Sequence, residues 1–110
     1  MVRGQPIHEA LVQTSANAYA TKLGAYVYPW KNILIYIKEN NINAIEYSID
    51  GSMDDDEWHN LVTDQDIARD GDAYETIINN AWAYIRVQIK SDVAGTHSTN
   101  TDITIGVNGE

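Results

Sequence analysis

Apolar and polar residues alternate with a period of two in the segment from Ala81 to Lys90, which reads AWAYIRVQIK. One set of alternate positions is apolar throughout: Ala81, Ala83, Ile85, Val87 and Ile89. The other set carries the large rings and the polar groups: Trp82, Tyr84, Arg86, Gln88 and Lys90. A period of two is typical of a β-strand with one buried face, whereas a helix would distribute the same apolar residues around its axis. The pattern therefore predicts a strand whose second face carries aromatic rings and cations.

Comparable strand patterns occur elsewhere in the chain. Residues 32–38 (NILIYIK) are an almost continuous apolar run, which predicts a strand covered on both faces. Residues 44–49 (AIEYSI) alternate after an Asn-Asn turn, so we expect the two segments to pair as a hairpin. Residues 101–107 alternate as well. Residues 7–22 fit two short strands better than a helix, because Thr, Tyr and Val are concentrated there.

The spacing of these segments predicts the fold class. About seven or eight short strands, roughly ten residues apart, are typical of an all-β protein built as an antiparallel β-sandwich or a jelly-roll-like barrel. The chain has 110 residues and no Phe, so Ile, Val, Tyr and Trp must fill one modest core. We expect residues 14–110 to form that single β-sandwich domain and residues 1–13, which include Gly4 and Pro6, to form a flexible N-terminal arm.

The charge balance limits the classes of partner. Seven Lys and Arg residues stand against sixteen Asp and Glu residues, which gives a formal net charge of −9. Proteins that bind nucleic acids or anionic membranes normally present a basic face, so neither partner is expected. The chain lacks the roughly 20 consecutive apolar residues of a membrane helix, and its first residues do not resemble a signal peptide. We therefore expect a soluble protein made in a cytoplasm.

No arrangement of residues typical of an active site occurs in the sequence. The histidines His8, His59 and His97 fall in three separate segments, without the short spacing of zinc ligands. There is no cysteine, no G-x-S-x-G motif and no glycine-rich phosphate loop. The carboxylates do not mark out a pair for glycoside hydrolysis. The sequence therefore predicts a non-enzymatic protein without a cofactor.

An acidic cluster follows the strand at residues 44–49. Its members are Asp50, Asp54, Asp55, Asp56 and Glu57. Calcium prefers several oxygen ligands, so Asp50, Asp54 and Asp56 are the candidates for a calcium site. The spacing lacks the alternation of ligands and the central glycine of an EF-hand loop. We therefore prefer the interpretation that these residues form a solvated hairpin tip that binds no metal.

Aromatic residues are the main candidates for a binding surface. Trp82 and Tyr84 lie on the opposite face of their strand from Ile85, so they are either covered by other parts of the chain or exposed as a patch. Exposed aromatic patches are typical of protein interfaces and of sugar-binding platforms, and both interpretations stay open. The interface candidates are Tyr28, Trp30, Trp82, Tyr84 and Arg86.

The order of segments between residues 30 and 90 resembles a known class of proteins. An apolar strand (ILIYIK) is followed by an Asn turn, the segment NAIEYSIDGS, an acidic tip before Trp58, and the strand AYIRVQIKS. This order resembles the small β-sandwich accessory proteins of tailed-bacteriophage virions, in particular capsid decoration (cement) proteins. The resemblance implies a virion protein, made in the host cytoplasm, that binds the lattice of the major capsid protein as a homo-oligomer, commonly a trimer. The N-terminal arm would then be free to add a strand to a neighbouring sheet.

A second hypothesis follows from the aromatic residues themselves. A carbohydrate-binding β-sandwich module would stack Trp30, Trp58 or Trp82 on sugar rings, and nearby acids would accept hydrogen bonds from sugar hydroxyl groups. A tail or fibre adhesion domain of a virion would combine sugar binding with assembly. The mass in solution separates these hypotheses, because a stable trimer is expected of an assembly protein and a monomer of a simple sugar-binding module.

Overall fold

The computed structural model describes residues 7–14, 18–40, 44–91 and 99–109, and this part of the chain forms eight strands and no helix. The strands are β1 (Ile7–Thr14), β2 (Ala20–Tyr26), β3 (Asn32–Glu39), β4 (Ile45–Ser52), β5 (Trp58–Ile67), β6 (Asp72–Ile77), β7 (Tyr84–Ser91) and β8 (Thr99–Asn108). The described segments accordingly include no helix of the length and apolar character needed to cross a bilayer. The prediction of an all-β protein is confirmed.

The strands form two four-stranded antiparallel sheets. The first sheet has the order β1-β8-β3-β6, and the second sheet has the order β2-β7-β4-β5. Among the described strands, β4 and β5 are the one consecutive pair within a sheet, and every other connection crosses from one sheet to the other. Eight strands that alternate in this way between two sheets form a jelly-roll sandwich. Of the two architectures that the sequence left open, the structure has the two packed sheets of a sandwich and the strand order of a jelly roll.

The predicted hairpin between residues 32–38 and 44–49 is wrong. Strand β3 lies between β8 and β6 in the first sheet, whereas β4 lies between β7 and β5 in the second sheet. The connection between β3 and β4 therefore crosses the sandwich. A local turn signal does not distinguish a hairpin from such a crossing, because both reverse the chain and both bury one row of apolar residues.

The apolar run of β3 predicted a strand covered on both faces, and this prediction is also wrong. Ile33, Ile35 and Ile37 are fully buried, but Leu34 on the opposite face is 46% exposed. Antiparallel sheets commonly keep one face in contact with solvent, and the first sheet follows this rule despite the apolar sequence.

The core lies between the sheets and is built mainly of isoleucine and valine. The inward rows of β7 and β8 are fully or almost fully buried, as their alternation predicts: Ile85, Val87, Ile89, Ile103, Ile105 and Val107. Each such side chain contributes about 1.5–3 kcal/mol when it is buried. The hydroxyl group of Tyr47 crosses this core from the second sheet and donates a hydrogen bond to the carboxylate of Glu75 in the first sheet.

Residues 7–13, which were expected to belong to the N-terminal arm, form most of strand β1. This strand lies at the edge of the first sheet and pairs in antiparallel register with β8, from Ile7 opposite Gly106 to Thr14 opposite Thr99. The remaining part of the expected arm, residues 1–6, lies outside the described residues.

Candidate functional site

A cleft lined by aromatic residues lies on the outer face of the second sheet. Alternation along β7 directs Tyr84 and Arg86 outward, because Ile85 between them and Val87 after them are buried. On the neighbouring strand β2, Tyr26 pairs with Tyr84 and Gly24 pairs with Arg86. We call this space, of about 480 Å³, the aromatic cleft. It is lined by Thr21, Gly24, Ala25, Tyr26, Asp55, Trp58, Tyr84 and Arg86.

Tyrosine rings form one wall of the aromatic cleft. The rings of Tyr26 and Tyr84 meet edge to face, with centroids 5.1 Å apart, and Tyr28 extends the group with its centroid 6.4 Å from that of Tyr26. The floor is open because Gly24 has no side chain. A Cβ atom at that position would meet no atom closer than the carbonyl oxygen of Ile85, at 3.9 Å. Because Gly24 pairs with Arg86, a long side chain at this position would extend into the cleft.

Arg86 is held in a defined position on the cleft floor. Its Nε donates a hydrogen bond of 2.9 Å to Oδ2 of Asp50, which is nearly buried. The other oxygen of Asp50 accepts a hydrogen bond of 3.0 Å from the side-chain amide of Asn60. The guanidinium carbon of Arg86 lies 4.3 Å from the centroid of the Trp58 ring, which is a cation–π arrangement. The ion pair uses Nε, so it leaves the terminal Nη groups of the guanidinium as donors for other partners.

The far end of the same sheet face is covered by a separate contact. The hydroxyl group of Tyr19 donates a hydrogen bond of 2.6 Å to Oδ1 of Asp64, and the Lys90 ammonium lies 4.8 Å from the centroid of the Tyr19 ring. Burial and the adjacent Asp64 carboxylate raise the pKa of Tyr19 above its ordinary value. This contact joins the segment before β2 to strand β5, so the aromatic cleft is confined to the opposite end of the face.

Trp82 does not share the outer face with Tyr84, contrary to the alternation of the sequence. Strand β7 begins at Tyr84, and Trp82 lies before it, partly buried against the core. Its ring lies against Gly51, which pairs with the buried Ile85 and so faces the interior side of the sheet. His59 stacks on the same ring at 5.2 Å between centroids. Trp82 therefore closes one end of the core.

Trp30 also packs against the core rather than in the aromatic cleft. The side chain of Asn80, which is buried, connects the two tryptophans. Its Nδ2 donates to the carbonyl oxygens of Trp30 and Trp82, at 3.2 and 2.8 Å, and its Oδ1 accepts from the backbone N–H of Trp82 at 3.1 Å. Since most donors and acceptors of this amide are used, Asn80 fixes both segments.

The five interface candidates thus divide into two groups. Tyr84 and Arg86 line the aromatic cleft, and Tyr28 lies beside it, whereas Trp30 and Trp82 pack against the core. Trp58, which the sequence offered as a sugar-stacking residue, also lines the cleft, whereas Gly24 and Tyr26 were not among the selected candidates. These residues reach Arg86 only because β2 pairs with β7 and β5 pairs with β4. No local sequence pattern predicts those pairings.

The acidic cluster is a hydrogen-bonded turn between β4 and β5. Oδ1 of Asp54 accepts hydrogen bonds from the backbone N–H groups of Asp56 and Glu57, at 3.0 and 2.9 Å, and from the hydroxyl group of Ser52. These hydrogen bonds lower the pKa of Asp54 below its ordinary value, and the bonds from the backbone of Glu57 and Asp56 have the largest effect. Among the described residues, no group of three or more histidine, aspartate or glutamate side chains is arranged to hold a metal ion.

A second exposed surface lies on the outer face of the first sheet. We call it the outer apolar surface, and its members are Leu11, Leu34 and Tyr74, which are exposed, the half-buried Tyr36, and the exposed Ile78, which directly follows β6. Tyr36 and Tyr74 are direct partners on β3 and β6, with ring centroids 4.6 Å apart. A hollow of about 440 Å³ is lined by Leu11 and Tyr36, and another of about 410 Å³ is lined by Leu34 and Gly106. This face therefore combines exposed apolar side chains with shallow recesses.

Comparison with solved structures supports the architecture. No protein-family model and no curated protein matches the sequence. The SPBc2 prophage-derived protein YomS matches with a TM-score of 0.62 at 11% identity, and the alignment covers 98% of each chain. PirA matches with a TM-score of 0.62 at 13% identity over 93% of each chain. A protein of the disulfide-linked pili of Bacillus endospore appendages matches with a TM-score of 0.54 at 14% identity, over 98% of this chain and 93% of the other. At such identities the likenesses establish the fold alone.

Proposed function

We propose that this chain is a non-enzymatic structural protein of a tailed-bacteriophage virion. In this proposal it decorates and stabilises the capsid by binding the lattice of the major capsid protein as a homo-oligomer, with a trimer expected. It would be made in the host cytoplasm and reside in the virion. The observation that supports the proposal is the exposure of apolar side chains on the outer apolar surface, which a protein partner would cover.

The composition of the outer apolar surface supports a protein contact. Three of its members are highly exposed: Leu11 at 69%, Tyr74 at 64% and Ile78 at 68%. Leu34, Tyr36 and Tyr74 lie on the neighbouring strands β3 and β6, whereas Leu11 lies on β1 at the other edge of the sheet. Contiguous exposed apolar patches mark interaction sites, and tyrosine is enriched at protein interfaces. The rings of Tyr36 and Tyr74 lie next to each other on this surface. The hollow lined by Leu11 and Tyr36 can accept a side chain of a partner.

The fold and the edge strands are also suited to assembly. A similar fold occurs in a prophage-derived protein and in a protein of endospore appendage pili. Strand β1 is an edge strand, and edge strands present unpaired backbone groups to which a neighbouring chain can add a strand. We propose that residues 1–13 take part in this contact, with residues 7–13 as the edge that receives it. Since this chain has no cysteine, such an assembly would not be linked by disulfides.

The charge indicates the chemistry of the partner surface. A protein with a formal charge of −9 associates more readily with a basic surface than with another acidic one. Contacts between this chain and a capsid lattice would therefore weaken as salt screens the attraction. Contacts between copies of the chain would depend instead on the outer apolar surface.

Light scattering of the purified chain tests the proposal. The wild-type protein is expected to have the mass of a trimer, and Tyr74→Glu is expected to reduce it to that of a monomer, because a charge would be placed in the contact. Tyr26→Glu is the matched control, since Tyr26 is similarly exposed, at 55%, but lies on the opposite outer face. A monomeric wild-type protein, or equal masses for the wild type and the Tyr74 variant, would contradict the proposal.

A further inference from the structure

The aromatic cleft combines three kinds of chemistry in one space. The rings of Tyr26 and Tyr84 provide apolar surfaces, the Nη groups of Arg86 provide donors, and the exposed Asp55 provides carboxylate acceptors. A sugar ring matches this combination, because its C–H groups form apolar faces and its hydroxyl groups both donate and accept hydrogen bonds. We propose that the aromatic cleft is a binding site for a neutral saccharide.

The cleft is organised before a ligand arrives. Arg86 is fixed between the buried Asp50 and the ring of Trp58, so little side-chain freedom is lost when its Nη groups bind a hydroxyl group. Asn60 in turn fixes Asp50. The volume of about 480 Å³ lies within the range of about 300–1,000 Å³ that is usual for small-molecule sites. The open floor at Gly24 gives a ring access to Arg86.

The electrostatics of the cleft favour a neutral ligand over an anionic one. The positive charge of Arg86 is already balanced by Asp50 at 2.9 Å, and the exposed Asp55 adds a negative charge to the lining. An anionic sugar would meet Asp55 and the acidic turn at residues 54–57 without an unpaired cation to compensate. Hydroxyl groups avoid this penalty, because they bind the guanidinium and the carboxylate without adding charge.

This site is separate from the surface proposed for assembly. The aromatic cleft belongs to the outer face of the second sheet, and the outer apolar surface belongs to that of the first sheet. An assembly that covered the first sheet would leave the cleft open to solvent. The chain could then be held in a larger particle through one face and bind glycans through the other.

Nuclear magnetic resonance of the labelled full chain tests the inference. The probes are the methyl glycosides of glucose, galactose, mannose and N-acetylglucosamine, with galacturonate as the anionic counterpart. At least one neutral glycoside is expected to shift the side-chain N–H signals of Arg86 and Trp58. Galacturonate is expected to bind about tenfold more weakly than the methyl glycoside of galactose, because of the acidic groups around the cleft. No shift with any neutral glycoside, or tighter binding of galacturonate, would overturn the inference.

Two matched variants separate this site from the assembly surface. Tyr26→Ala removes one wall of the cleft and is expected to weaken binding of the neutral glycoside about tenfold, as the loss of one aromatic contact can do. Tyr74→Ala removes a tyrosine of similar exposure from the opposite sheet and should leave glycoside binding unchanged. Equal binding by Tyr26→Ala and the wild type would overturn the inference. The mass of the Tyr26 variant in solution reports separately on the proposed assembly.

Discussion

The indole ring of Trp82 covers Gly51 so closely that a Cβ atom on residue 51 would lie 2.6 Å from Cγ of the ring. Gly51 belongs to strand β4 of the second sheet, and Trp82 lies just before strand β7, the neighbour of β4, at one end of the core. The absence of a side chain at position 51 is therefore what allows Trp82 to pack against the interior.

This contact predicts the effect of a single methyl group. Gly51→Ala is expected to lower the free energy of unfolding by about 1–3 kcal/mol, because the indole ring must move away from its packed position. Gly106→Ala is the control, since a Cβ atom there would meet no atom within 4 Å and the change should stay within about 0.5 kcal/mol. Chemical denaturation measures both changes. Equal stability of the two variants would show that the structure accommodates a Cβ atom at residue 51 beside the Trp82 ring.

The contact between Tyr47 and Glu75 predicts a dependence of stability on alkaline pH. Burial of Tyr47, and then its hydrogen bond to the carboxylate of Glu75, raise the pKa of the phenol above its ordinary value of 10.0. The folded state therefore retains the proton at a pH where the unfolded chain begins to lose it. The stabilisation is fully present below pH 10.0 and declines as the pH rises above that value.

Removal of the phenol hydroxyl group tests this linkage. Tyr47→Phe is expected to lower the free energy of unfolding by about 1–2 kcal/mol at neutral pH, because the hydrogen bond across the core is removed. Its difference from the wild type should narrow above pH 10.0, since the variant lacks this titration. Glu75→Gln should likewise weaken the alkaline decline, because it removes the carboxylate that favours the neutral phenol. Urea denaturation at a series of pH values would contradict the mechanism if the difference between Tyr47→Phe and the wild type did not change.

The structure of the turn between β4 and β5 predicts that calcium does not change the stability of the protein. Oδ1 of Asp54 accepts hydrogen bonds within the turn, and Asp50 is paired with Arg86. Calcium up to about 10 mM, above the ~10⁻³ M dissociation constants of weak extracellular sites, is therefore expected to leave the melting temperature unchanged. Differential scanning calorimetry with calcium and with a chelator measures this. A rise with calcium that Asp54→Asn abolishes would show instead that the turn is a calcium site.

The binding surfaces show where inference from the sequence reaches its limit. Alternation along β7 correctly directs Tyr84 and Arg86 to the outer face. The same alternation misplaces Trp82, because the strand begins after it and the chain turns the ring toward the interior. The contribution of Gly24 to the cleft depends on the register of β2 against β7, which contains an irregularity between Thr21 and Leu23. A shift of that register would move Gly24 away from Arg86.

The periodicity of the chain by itself determined that the protein is an all-β sandwich and which rows of isoleucine and valine face its core. That information is local, because side chains alternate between the two faces of any strand. Tertiary structure alone decided that β3 and β4 lie in different sheets, that Leu34 meets solvent and that Tyr26 and Trp58 meet at Arg86. Strand partners in a jelly roll are distant in sequence, and many pairings satisfy the same apolar pattern. The choice among them comes from the packing of the whole core, which no single segment encodes.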